Sequence, residues 1–147
     1  MGIIEKFSLS GKVAIVTGGA GLYGKFIVEA LADAGAIVYV ASRNVENCEK
    51  IANNMRKKGY DVLSAQLDQS DEESVNKLKA KILKEQGRVD ILVNNAVLRP
   101  MKSYYDEIEK FRLCMKVNAT GIFNLTGTIG EVMKKKKRFN HPGYSWT

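Results

Sequence analysis

The segment TGGAGLYG, Thr17–Gly24, carries the clearest chemical signal in the chain. Gly19, Gly21 and Gly24 fall at G-x-G-x-x-G spacing, while Gly18, Gly21 and Gly24 follow Thr17 at T-G-x-x-G-x-x-G spacing. Glycine suits such a turn because it adopts backbone angles closed to other residues. Without a Cβ, the main chain can also approach a diphosphate closely. An apolar run precedes the turn and a helical pattern follows it. Phosphates held there would sit at a helix N-terminus, where N–H groups and the helix dipole favour negative charge. In that setting the spacing predicts a dinucleotide site; alone it is a weak pattern.

A second position bears on which dinucleotide. An acidic residue closing the next strand would accept hydrogen bonds from the adenosine ribose and repel a 2′-phosphate. This chain has Ser42 and Arg43 there instead. A hydroxyl followed by a guanidinium suits a 2′-phosphate, so NADP(H) is favoured over NAD(H).

The elements that must position these groups are legible as an alternation. KVAIVTG (12–18), IVYVAS (37–42), DVLSAQLD (61–68) and VDILVNNA (89–96) are apolar runs of strand length. Between them, 24–36, 45–59 and 71–87 repeat apolar residues at helical spacing, and a long helix is predicted over 106–137, bent near Gly121. Strands apolar on both faces and separated by helices imply an α/β fold, a parallel sheet covered on two sides.

Composition agrees with one globular domain: 147 residues, 45% hydrophobic and 27% charged. The net charge is +7, but Lys134, Lys135, Lys136, Lys137 and Arg138 supply five of it. The basic signal therefore belongs to the tail. Those charges, with one nearby tryptophan, make no stacking platform, so no nucleic-acid partner is expected. Cys48 and Cys114 suffice for neither a metal site nor a disulfide framework and suit a reducing, cytoplasmic setting. No apolar run approaches the ~18 residues of a membrane span, and no leader-like apolar segment opens the sequence.

Four motifs in order resemble the short-chain dehydrogenase/reductase family over about residues 8–133. TGGAGLYG sits at the family's cofactor turn, so Gly18, Gly21, Leu22, Tyr23 and Gly24 are expected at the cofactor. LDQSD resembles the segment whose aspartate, here Asp68, holds the adenine amino group. NNA resembles the strand-four motif that lines the cofactor site, which brings in Asn94 and Ala96. VNATG resembles the segment carrying the asparagine of the catalytic tetrad, here Asn118. The turn spacing is that of the extended branch, whereas NNA and VNATG are features of the classical branch; Leu22 and Val97 replace usual glycines.

The resemblance implies a Rossmann-type doubly wound sheet in the order 3-2-1-4 for this portion. It also implies hydride transfer between a nicotinamide and a small carbonyl or alcohol substrate. That chemistry needs a proton donor or acceptor near the substrate oxygen, supplied in the family by Ser and Tyr-x-x-x-Lys. None of the six tyrosines here has Lys four residues on. The chain is therefore expected to be a cofactor-binding fragment, inactive alone, spanning 1–133. Residues 134–147 are expected to be an out-of-frame or non-native tail. The alternative is a non-catalytic dinucleotide-binding or regulatory protein that associates with intact subunits. Phe111, Met115, Ile122, Phe123, Leu125, Ile129 and Val132 are too many apolar positions for one narrow stripe, so self-association through the long fourth helix is expected.

Overall fold

The computed structural model describes residues 2–137. After a short helix α1 (Ile3–Lys6), the elements run β1 (Val13–Thr17), α2 (Gly24–Asp33), β2 (Ile37–Ser42), α3 (Val45–Lys57), β3 (Val62–Gln66), α4 (Glu72–Gln86) and β4 (Ile91–Val93). Two helices follow, α5 (Ile108–Met115) and α6 (Ile122–Lys137), joined without a break by a π-helical segment, Lys116–Gly121. The strands form one sheet in the order β3-β2-β1-β4, every neighbour parallel. This is the predicted α/β architecture and strand order.

Side chains alternate across β1 and feed two cores. Val13 and Ile15 join Tyr39, Ala65, Leu78, Ile82, Leu125 and Ile129 on the face covered by α4 and α6. Ala14 and Val16 join Val28, Val38, Val40, Ala52 and Met55 on the face covered by α2 and α3. Both faces of β1 are buried along its whole length, which is why its sequence reads as an unbroken apolar run. Tyr39 is fully buried, and its hydroxyl donates to Glu85 Oε2 at 2.6 Å, tying the sheet to α4.

Local chemistry sets the helix ends. Asn44 caps α3 by accepting the Asn47 N–H at 3.0 Å, and Asp71 caps α4 through the Glu73 and Ser74 N–H groups. Gly87 closes α4 at φ +69°, the left-handed conformation common at helix C-termini. Asp71 and Gly87 thereby hold α4 one residue inside each of its sequence-predicted limits, 71 and 87.

Two predictions are corrected in detail. Strand four was expected over 89–96 but spans Ile91–Val93, pairing with β1 alone among the described residues. Its continuation leaves the ladder because Asn95 and Ala96 donate their N–H groups to a side chain, Thr17 Oγ1. The expected single helix changes its winding across Lys116–Gly121 instead of bending at one glycine. Lys134–Lys137 continue α6; the expected out-of-frame residues from 138 onward lie outside the described residues.

Candidate cofactor cleft

All β-to-α loops lie beyond the carboxyl ends of the parallel strands, and there they enclose a cleft of about 600 Å³. A space of that size at that edge is where open α/β sheets hold ligands.

The glycine turn forms its floor. Gly18 leaves β1 at φ +63°, with its N–H on the Ala41 carbonyl at 2.8 Å. A Cβ here would lie 2.9 Å from Ala96 Cα. At Gly24 a Cβ would lie 2.6 Å from Gly19 Cα and nearer still to the Gly18 carbonyl oxygen. At Gly19 it would meet Val40 and Val28 within 3.1 Å. Glycine at these positions thus lets strand, turn and helix close on one another. Tyr23 precedes α2 without capping it by a side chain, and the Leu22 and Tyr23 positions line the cleft.

Thr17 and Asn95 lock the turn to the β4 exit. Thr17 Oγ1 accepts the N–H groups of Asn95 and Ala96, each at 3.0 Å. Asn95 Nδ2 donates to the carbonyls of Thr17 and Gly18 at 3.2 and 3.1 Å.

Ser42, Arg43 and Asn47 border the cleft at the β2 exit. Ser42 Oγ donates to the Asn44 carbonyl at 3.1 Å and lies 3.1 Å from the buried Cys48 sulfur. Burial pushes the Cys48 thiol pKa up. Asp68 follows β3, its Oδ1 accepting the Ser70 hydroxyl at 2.7 Å and the Ser70 N–H at 2.9 Å. The Ser70 hydroxyl above all, then its N–H and the charges of Arg43 and Lys116, hold the Asp68 carboxyl below its usual pKa.

The cleft therefore brings together Gly18, Gly21, Leu22, Tyr23, Ser42, Arg43, Asp68 and Ala96. Gly24 stands behind the wall, packed on Gly18 and Gly19. Asn94 points away and donates to Thr126 Oγ1 at 3.0 Å, so Asn95 is the asparagine of the NNA motif that faces the cleft. Asn118 sits in the π-helical segment, engaged with the backbone of Leu98. Sequence reasoning passed over Thr17, Asn47 and Gln69. Thr17 opens the glycine signature and Asn47 falls in the first turn of α3, so both had a positional signal; Gln69 had none.

The family profile described as short chain dehydrogenase matches residues 12–139. The chain belongs to the short-chain dehydrogenase family. It is 31% identical over 130 residues to a 2,3-dihydro-2,3-dihydroxybenzoate dehydrogenase of Bacillus subtilis, covering 88% of this chain and 50% of that protein. An uncharacterized oxidoreductase of Thermotoga maritima is 34% identical over 129 residues, covering 87% of this chain and 50% of that one. Among solved structures, a gluconate 5-dehydrogenase from Burkholderia cenocepacia, in complex with NADP and tartrate, superposes with a TM-score of 0.83 at 28% identity. That match covers 92% of this chain and 53% of the other. The chain thus spans about half the length of these relatives.

Short-chain dehydrogenases are oxidoreductases that bind a nicotinamide dinucleotide. The residues of this cleft fit that ligand: the turn brings bare backbone to the start of α2, and Arg43 at the β2 exit supplies a positive charge. Among the described residues no group of three His, Cys, Asp or Glu side chains is arranged to hold a metal ion. No described helix is long and apolar enough to cross a membrane.

Proposed function

We propose that the cleft holds NADP(H) in preference to NAD(H). The chain then acts as the cofactor-binding half of an oxidoreductase whose substrate is a small carbonyl or alcohol. The observation that carries this reading is the β2 exit, where Ser42, Arg43 and Asn47 border the cleft and no carboxylate closes the strand. Gly18, Gly21 and the start of α2 would hold the diphosphate. Asp68, kept ionised by Ser70, would accept the adenine amino group. Ala96 and Leu98 would border the nicotinamide, which when bound supplies or accepts a hydride. None of Tyr23, Tyr39, Tyr60, Tyr104 and Tyr105 has Lys four residues on to assist in moving the accompanying proton. Binding without turnover is therefore expected of this chain alone. A cytoplasmic setting is supported by two free thiols, Cys48 and Cys114.

Fluorescence titration of the full chain with NADPH and NADH tests the reading. We expect NADPH to bind at least about tenfold more tightly, and Arg43→Ala to remove that preference, since one charge-assisted contact is worth ~1.5–3 kcal/mol. Equal affinities would overturn the preference; binding of neither would overturn the site.

A second reading, a non-catalytic partner of intact subunits, is favoured by one observation. Ile108, Phe111 and Met115 of α5 and Phe123 of α6 are exposed. Co-purification with a full-length relative, and a change in that relative's activity, would separate it from the first.

A further inference from the structure

The change of winding between α5 and α6 has a cause on a different loop. Gln69 follows Asp68 after β3 and is 5% exposed. Its Nε2 donates to the carbonyl of Val117 at 2.9 Å. In an α-helix that carbonyl belongs to the N–H four residues on, at Gly121. A side-chain donor entering from outside competes for it, and such insertion widens a helix locally. Gly121 completes the fit. A Cβ there would lie 2.6 Å from the Gln69 carbonyl oxygen and 3.0 Å from its carbon, so only glycine lets the two backbones approach this far.

The π-helical segment then acts on the cleft. Asn118, next to Val117, uses both atoms of its amide on one residue outside any strand. Its Oδ1 accepts the Leu98 N–H at 2.8 Å, and its Nδ2 donates to the Leu98 carbonyl at 2.6 Å. Val97, Leu98 and Arg99 line the cleft.

We infer that Gln69 is a positioning residue: by taking the Val117 carbonyl it sets the π winding, and through Asn118 it fixes the Leu98 backbone as a wall of the cleft. Its consequence for binding rests on the cofactor reading above, which puts the nicotinamide beside Ala96 and Leu98.

Amide hydrogen exchange followed by NMR on the full chain tests the linkage without any cofactor. Gln69→Met keeps the length and removes the donor; Asn118→Ala removes the last link. We expect the Leu98 amide to exchange at least about tenfold faster in either variant, with no further gain in the double variant, while Val40 in β2 keeps its rate. An unchanged Leu98 rate in Gln69→Met would overturn the inference. Uniform acceleration that includes Val40 would also overturn it, because Gln69 would then serve the core as a whole. For the functional half, we expect Gln69→Met to weaken NADPH about tenfold and 2′,5′-ADP less than about twofold. Equal losses would overturn that half. If the unmodified chain binds neither nucleotide, the cofactor reading fails while the exchange rates still decide the linkage.

Discussion

At the residue scale, the tightest constraint in the cleft is steric. Gly24 faces the Gly18 and Gly19 backbone, which cannot rotate aside as a side chain could. Gly24→Ala is therefore expected to destabilise the fold by more than ~2 kcal/mol and to abolish NADPH binding, checked by urea unfolding and titration. Thr17 and Asn95 constrain the same turn through polar contacts, four hydrogen bonds within 3.2 Å. Asp68 adds a pH dependence. Its folded pKa is depressed, chiefly by the Ser70 hydroxyl, so its contribution is present above the ordinary value of ~3.9 and is lost as pH falls through the folded one. Any adenine contact to the carboxylate should therefore weaken only in acid, at lower pH than for an ordinary aspartate. NADPH titrations at falling pH check this.

At the element scale, the long C-terminal helix divides into parts with different duties. Leu125 and Ile129 of α6 are fully buried against the core shared with α4, whereas Phe123 is 82% exposed. Leu125→Ala is expected to cost ~2–5 kcal/mol by leaving a cavity, and Phe123→Ala within ~0.5 kcal/mol; urea midpoints distinguish them. Ahead of α5, Asp106 organises its loop by accepting the N–H groups of Lys102 and Ser103 and pairing with Lys110. Those N–H groups, more than the lysine, lower its pKa to about 2. The loop's stabilisation should be complete above the ordinary carboxylate value of ~3.9 and vanish as pH falls toward about 2. The Lys102 and Ser103 amide shifts would follow it. Strands and helices were legible in the sequence because burial on both faces leaves unbroken apolar runs and because the helices repeat apolar residues at helical spacing, whereas Asp71, placed inside the predicted helix, caps it instead. The π winding was not, because its cause is an amide 48 residues away from Val117. For the same reason the two asparagines of NNA could not be told apart. Neighbouring side chains on an extended backbone point to opposite faces, and the sequence does not say which face meets the glycine turn.

At the scale of the whole molecule, β4 pairs on one side only among the described strands, and the exposed apolar side chains of α5 and α6 add unpartnered surface. Such edges invite association. We expect sedimentation velocity to show a mass that rises with concentration, and Phe123→Glu to lower it without shifting the urea midpoint; a concentration-independent monomer would refute this. The parallel sheet has a further consequence. Every crossover returns the chain to the opposite rim, where helices end in positive-φ glycines, and at Gly59 and Gly87 the space around the backbone is open. That rim is a natural handle. A tether or fluorophore attached in the Lys57–Tyr60 turn would hold the molecule by its far pole and leave the nucleotide-facing loops turned toward the solution.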